Sequence, residues 1–182
     1  YTNQIASNMS KDHRWRVEHA QNVNPSDIPR FAKSKIIASM QGIHCTSDAP
    51  YVAKRLGEKR ASTEAYMWRD FMKAGVLVNN GTDVPVENID PFANFYSSVT
   101  RKLSDGSSFY DGQKMTREEA IYSYTLANAI ASFSEKEKGS VEVGKWADLI
   151  ILDKNILLCR EEEISKINVK KVLIGGKIAK NE

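Results

Sequence analysis

Three short β-rich runs, WRVEHA (15–20), KIIASMQ (35–41) and VLVNNGTD (76–83), are separated by stretches too long to be hairpin turns. No other feature narrows the fold as much. Strands joined in this way pair in parallel, with helices crossing back over the sheet, so the chain reads as α/β, a layer or a barrel. Between the first two runs, NPSDIPRFAKS (24–34) reads as a short helix begun by turn residues. After the second, Asp48 is placed as the N-cap of APYVAKRLG, with Pro50 in the first turn and Gly57 at the stop. A longer helix follows in ASTEAYMWRDFMKAG, with Ala61, Ala65, Trp68 and Met72 on one face and Gly75 at its end.

Beyond the third run, DPFANFYSSVTR has Asp90 as a cap and Pro91 at the first helical position. TREEAIYSYTLANAIASFSE opens on Thr116 and Glu119, the pair that forms a capping box, and its Ala120, Tyr124, Ala127 and Ala131 make a small-residue face for packing on a sheet. From Gly139 the character changes. GSVEVGKWADLIILDKN is a glycine-punctuated pair of short runs ending in an apolar strand (148–152), and VKKVLIGGKIAKNE is two strands joined at Gly175-Gly176. Residues 1–138 and 139–182 are therefore expected to be two units, the second a small β-module. There is no internal repeat or heptad pattern.

Composition narrows the function classes. The 182 residues, 41% of them hydrophobic, are enough for an ordinary core. The net charge of +3 comes from 26 basic and 23 acidic residues that are interspersed, which argues against a nucleic-acid surface. Cys45 and Cys159 follow neither a metal-finger nor a redox spacing. No apolar run approaches the roughly 18 residues of a membrane span, and YTNQIASNMS lacks a signal-peptide core. Because the chain begins at Tyr1, it is expected to be a segment or a processed piece of something longer, and the compartment stays open.

In barrels of alternating strands and helices, catalytic groups collect at the C-terminal strand ends. The three runs here finish at His19, close to His44 and at Asp83. Two imidazoles and a carboxylate suit zinc, and their spread over separate crossovers suits a barrel mouth rather than a single helix. Each also has a plain structural alternative: a hydrogen-bonded histidine at a strand end, or an aspartate serving an Asx turn. His13, in KDHRWR, reads as a surface residue. Arg101 reads as a helix-surface arginine and Trp68 as core, while Glu18 points to the strand face opposite His19.

In this order, RVEHAQ, ASMQGIHCTSDAPY, AGVLVNNGTDVPVENIDPFANFYSSVTR and KGSVEVGKWADLIILD resemble the C-terminal half of metal-dependent amidohydrolases. The resemblance is to the amidohydrolase family 3 type, the group that includes N-substituted formamide deformylase, and it runs from about residue 10 to about residue 178. It implies part of a TIM-like (β/α)8 barrel plus part of a small β-sandwich built from both chain ends. It also implies His19, His44 and Asp83 as ligands of a divalent metal, zinc by its donor set, with one or two ions. Asp83 would in addition move the proton as a metal-activated water attacks an amide or other non-peptide C–N bond of a small-molecule substrate.

One departure and one absence qualify the picture. Where members of the group commonly read Gln-Pro, this chain has Gln41-Gly42, which implies a looser turn before His44. Nothing matches the His-x-His of the family's first strand or its metal-bridging lysine. The chain is thus expected to be half a barrel, inactive without its N-terminal half. It would need that half, a homo-oligomer of itself, or a rearranged fold to cover its edges. The rival expectation is a non-catalytic structural or oligomerisation fragment that binds no metal.

Overall fold

A computed structural model describes residues 12–181, so the opening YTNQIASNMS lies outside the described residues. Strands β1 (Arg16–Glu18), β2 (Ile37–Met40) and β3 (Val78–Asn80) form one parallel sheet in that order. Val17 lies opposite Ala38, and Ala38 opposite Val78. The central strand is buried along its whole length, which explains why its sequence shows no apolar–polar alternation. The strands are shorter than the β-rich runs. The chain leaves the sheet directly after Glu18, through left-handed conformations at His19 (φ 67°) and Ala20 (φ 43°). Ahead of β1, Arg14 donates to both carboxylate oxygens of Glu135 at 2.8 Å and holds that carboxyl down at about 2.

The first crossover matches its expectation. A 3₁₀ turn (Pro25–Asp27) is capped by Asn24, whose side chain accepts from Ser26 N–H, and it leads into α1 (Ile28–Lys33). The second differs. Helix α2 spans Gly42–Leu56, so Asp48 and Pro50 lie inside it and Asp48 is not an N-cap. The reason is that distant side chains cap its start: Gly42 N–H donates to Asn80 Oδ1 at 2.9 Å and Ile43 N–H to Asn94 Oδ1 at 2.6 Å. Gly57 (φ 80°) ends it as expected.

The single helix expected over 61–75 is two, α3 (Glu58–Glu64) and α4 (Trp68–Lys73). The chain leaving β1 breaks it. Tyr66 N–H donates to Gln21 O at 2.7 Å, Val23 N–H donates to Glu64 O at 3.0 Å, and Ala65 forms a bridge with Asn22. These tertiary bonds outweigh helix propensity, and Tyr66 adopts φ 54°. Ala61, Ala65 and Trp68 are still buried.

Helix α5 (Pro91–Thr100) has the expected cap, with Asp90 accepting from Phe92 N–H at 2.9 Å. The capping box of Thr116 and Glu119 opens α6 (Arg117–Tyr124). The helix breaks at Thr125 and resumes as α7 (Leu126–Ala131), which keeps Ala120, Ala127 and Ala131 buried.

Strands β4 (Leu149–Leu152), β5 (Val169–Ile174) and β6 (Lys177–Asn181) form a separate antiparallel sheet. Gly175 (φ 55°) and Gly176 (φ 77°) supply the turn of the β5–β6 hairpin. The run after Gly139 forms no strand, and its Val141 and Val143 are exposed. A 3₁₀ stretch (Glu161–Lys166) packs on α5 and buries Ile164 in the main hydrophobic core. Among the described residues no helix is long and apolar enough to cross a membrane.

Candidate metal centre

Each parallel strand delivers one of the three candidate donors beyond its C-terminal end. His19 directly follows β1, His44 sits in the first turn of α2 after β2, and Asp83 lies in the turn after β3. One donor atom from each falls within 4.8 Å of the other two. Asp83 Oδ2 is 3.6 Å from His44 Nε2 and 3.9 Å from His19 Nδ1, and the two imidazoles stack with centroids 5.9 Å apart. Those separations are too long for direct hydrogen bonds, so the three groups face a shared space instead of satisfying one another.

His44 is 5% exposed, and its Nε2 is buried with no hydrogen-bond partner among the described residues. Leaving such a group unsatisfied costs about 1–3 kcal/mol. A metal ion removes that deficit, and two imidazoles with a carboxylate are an ordinary donor set for one. The residues fit the group. His19 and Asp83 remain partly open to solvent, which leaves the centre reachable from outside. Both also sit in the left-handed region, His19 at φ 67° and Asp83 at φ 58°. Such backbone costs on the order of 1–3 kcal/mol per residue and persists where the surroundings enforce it.

The supports of the two rings were not found from the sequence. His19 Nδ1 lies 3.0 Å from Gln41 Oε1, and His44 Nδ1 lies 3.1 Å from Gln21 Nε2. Gln21 also donates to Asp48 Oδ2 at 3.4 Å, and Tyr66 Oη–H donates to the same oxygen. With Nδ1 of His44 held by the Gln21 side chain, its Nε2 is turned toward Asp83; ligation through Nε2 requires Nδ1–H to donate, with the Gln21 amide oxygen turned to accept it. A signal for part of this exists in the sequence: His44 and Asp48 are spaced i, i+4, one helix face, once α2 is taken to start at Gly42. Beside His44, Cys45 is fully buried and its thiol is pushed up to about 12 by burial, so it stays neutral.

Arg101 is not a surface residue. It is fully buried at the end of α5, with Nη1 donating to Tyr66 O at 2.9 Å and Nε to Phe109 O at 2.5 Å, and its guanidinium lies 4.5 Å from the Trp68 ring centre. Trp68 is core, as expected. His13 is half-buried against Trp15, whose N–H donates to its Nδ1.

Gly42 is not a loose turn either. A Cβ there would lie 2.0 Å from Ser98 Oγ and 2.8 Å from Asn94 O, so close approach of α5 demands glycine. Gly42→Ala is expected to lower stability by about 1–3 kcal/mol in thermal or urea unfolding. Adding Ser98→Ala should recover only part of the loss, because the Asn94 carbonyl stays in the way. Full recovery would place the whole clash on the Ser98 hydroxyl.

A model described as the amidohydrolase family matches residues 2–179. The chain belongs to the amidohydrolase family. Over 97% of this amidohydrolase chain it is 32% identical to Protein LONG AFTER FAR-RED 3 of Arabidopsis thaliana, covering 30% of that protein. Over 90% it is 32% identical to the putative amidohydrolase YtcJ of Bacillus subtilis, covering 31%. N-substituted formamide deformylase of Arthrobacter pascens, the relative the sequence motifs pointed toward, is 29% identical over 66% of the chain and 22% of its own length. Among solved structures, an uncharacterized metal-dependent hydrolase from Pyrococcus horikoshii OT3 superposes with a TM-score of 0.75 at 28% identity, over 87% of this chain and 32% of that one. The amidohydrolase chain thus spans under a third of the length of these relatives.

Proposed function

We propose that this chain is the C-terminal part of a metal-dependent hydrolase barrel that cleaves amide or other non-peptide C–N bonds of small molecules. The observation that carries the reading is the convergence of His19, His44 and Asp83 from three parallel strand ends, with the buried Nε2 of His44 left without a protein partner. That orphaned nitrogen disfavours a purely structural fragment. A divalent ion held by these three residues, zinc by their donor set, would polarise the substrate carbonyl and acidify the attacking water. Asp83 Oδ2, beside both imidazoles and partly open to solvent, would take the proton of the attacking water and pass it to the leaving nitrogen. Gln21 and Gln41 hold the imidazoles in register with it.

β1 and β3 are the outer strands of the parallel sheet, each with an edge on which a further barrel strand, and with it the remaining ligands, would pair. In this reading residues 1–138 belong to the barrel and 139–182 to the sandwich, and the chain alone does not turn over. The test is elemental analysis after zinc loading and desalting, on the chain alone and combined with the rest of the barrel. Near-stoichiometric zinc is expected in the combined protein, with background levels in its His44→Ala form. No zinc in either wild-type sample would sink the reading.

A further inference from the structure

Asn94 is 1% exposed on α5, an element that carries none of the three donors. Its amide faces two ways. Oδ1 accepts from the N–H of Ile43, the residue before His44, at 2.6 Å, and Nδ2 donates to the carbonyl of Gly81, two residues before Asp83. One planar group therefore holds both turns, using the acceptor oxygen and the donor nitrogen of a single amide. Gly42 makes the approach feasible, since a Cβ there would sit 2.9 Å from Asn94 Oδ1. Asn80 runs beside it, accepting from Gly42 N–H at 2.9 Å and donating to Ser98 Oγ, also on α5, at 3.1 Å.

We propose that Asn94 is a positioning residue that clamps the His44 and Asp83 turns together and so sets the spacing of His44 Nε2 and Asp83 Oδ2. It touches neither metal nor substrate, and its bearing on ion binding rests on the metal-centre reading above. Residues that orient metal ligands typically change affinity by about 10–100-fold when replaced. Asn94→Leu, of similar volume, removes both bonds, whereas Asn94→Asp keeps the acceptor for Ile43 and loses the donor for Gly81.

The experiment is a Co2+ titration of the full chain combined with the rest of the barrel, followed by visible absorption, with Ser123→Ala as control. Ser123 is buried on α6, its hydroxyl donating to Ala120 O at 2.7 Å and lying against Met115 Sδ. Asn94→Leu should bind Co2+ about 10–100-fold more weakly with an altered band shape, while Ser123→Ala keeps the wild-type affinity and spectrum. Wild-type affinity and spectrum in Asn94→Leu would overturn the proposal.

Amide hydrogen exchange supplies an arm that needs no metal. Ile43 protection should fall in Asn94→Leu and persist in Asn94→Asp, with Gly42 unchanged in both. If the wild type takes up no Co2+, the metal reading fails and this arm alone decides the clamp. Undiminished Ile43 protection in Asn94→Leu overturns it.

Discussion

Under the proposed hydrolase reading, Asp83→Asn, made in the complete protein, is expected to lower kcat on amide substrates by about a hundred- to ten-thousand-fold while KM moves only a few-fold. Asparagine keeps the shape of the side chain and an oxygen able to ligate, so part of the metal should stay in place. What it cannot do is take a proton. Asp83 is suited to that task by position. Its Oδ2 lies within 4 Å of a nitrogen on each histidine, and the side chain is neither sealed from water nor fully solvated. Steady-state kinetics and metal content measured on the same samples separate its two roles. A variant that keeps wild-type kcat removes the proton-transfer role. One that loses activity only in proportion to lost metal leaves Asp83 as a ligand alone, and Asp83→Ala should lose both.

The meeting of His19, His44 and Asp83 was legible because its cause is topological. Connection lengths between β-rich runs force parallel pairing, and parallel pairing sends His19, His44 and Asp83 to the same rim whatever the side chains between them do. Local devices were legible for a different reason. Asp90 with Pro91, Thr116 with Glu119, and Gly175 with Gly176 each find their partners within a few residues. Several of the features that sequence reasoning missed share one property, a partner far along the chain. The caps of α2 come from Asn80 and Asn94, 38 and 51 residues away, so Asp48 looked like the start of a helix that had already begun. Gln21 and Val23 break the helix expected over 61–75 from the other side of β2. Gly42 resembles a flexible turn until α5 is in place against it. Long-range hydrogen bonds override local pattern wherever a buried N–H or C=O would otherwise go unpaired.

Arg101→Ala should be the most damaging single change to stability, at about 3–5 kcal/mol in urea unfolding. A charged residue at the end of a helix reads as solvent-facing, yet this guanidinium is fully buried, and burial pushes its pKa down. The cost of that burial is offset in part by fixed partners, the Tyr66 and Phe109 carbonyls and the faces of Trp68 at 4.5 Å and Phe109 at 5.3 Å, while Nη2 has no hydrogen-bond partner among the described residues. Truncation strips the buried Phe109 carbonyl of its guanidinium donor, leaves Tyr66 O with only the Trp68 N–H at 3.0 Å, and opens a cavity between two aromatic rings, penalties that exceed the relief of removing a buried charge.

Arg101→Lys is the informative companion. It keeps the charge but has neither the planar fork that reaches two carbonyls nor the flat face that stacks on Trp68, so it should recover little of the loss. Substantial recovery would mean that charge, not geometry, is what the core requires. The loss should also reach the candidate centre. Arg101 holds the backbone of Tyr66, Tyr66 holds Asp48, and Asp48 with Gln21 backs His44, so folded Arg101→Ala should bind metal more weakly than wild type. A folded variant with undiminished metal affinity would confine Arg101 to the core.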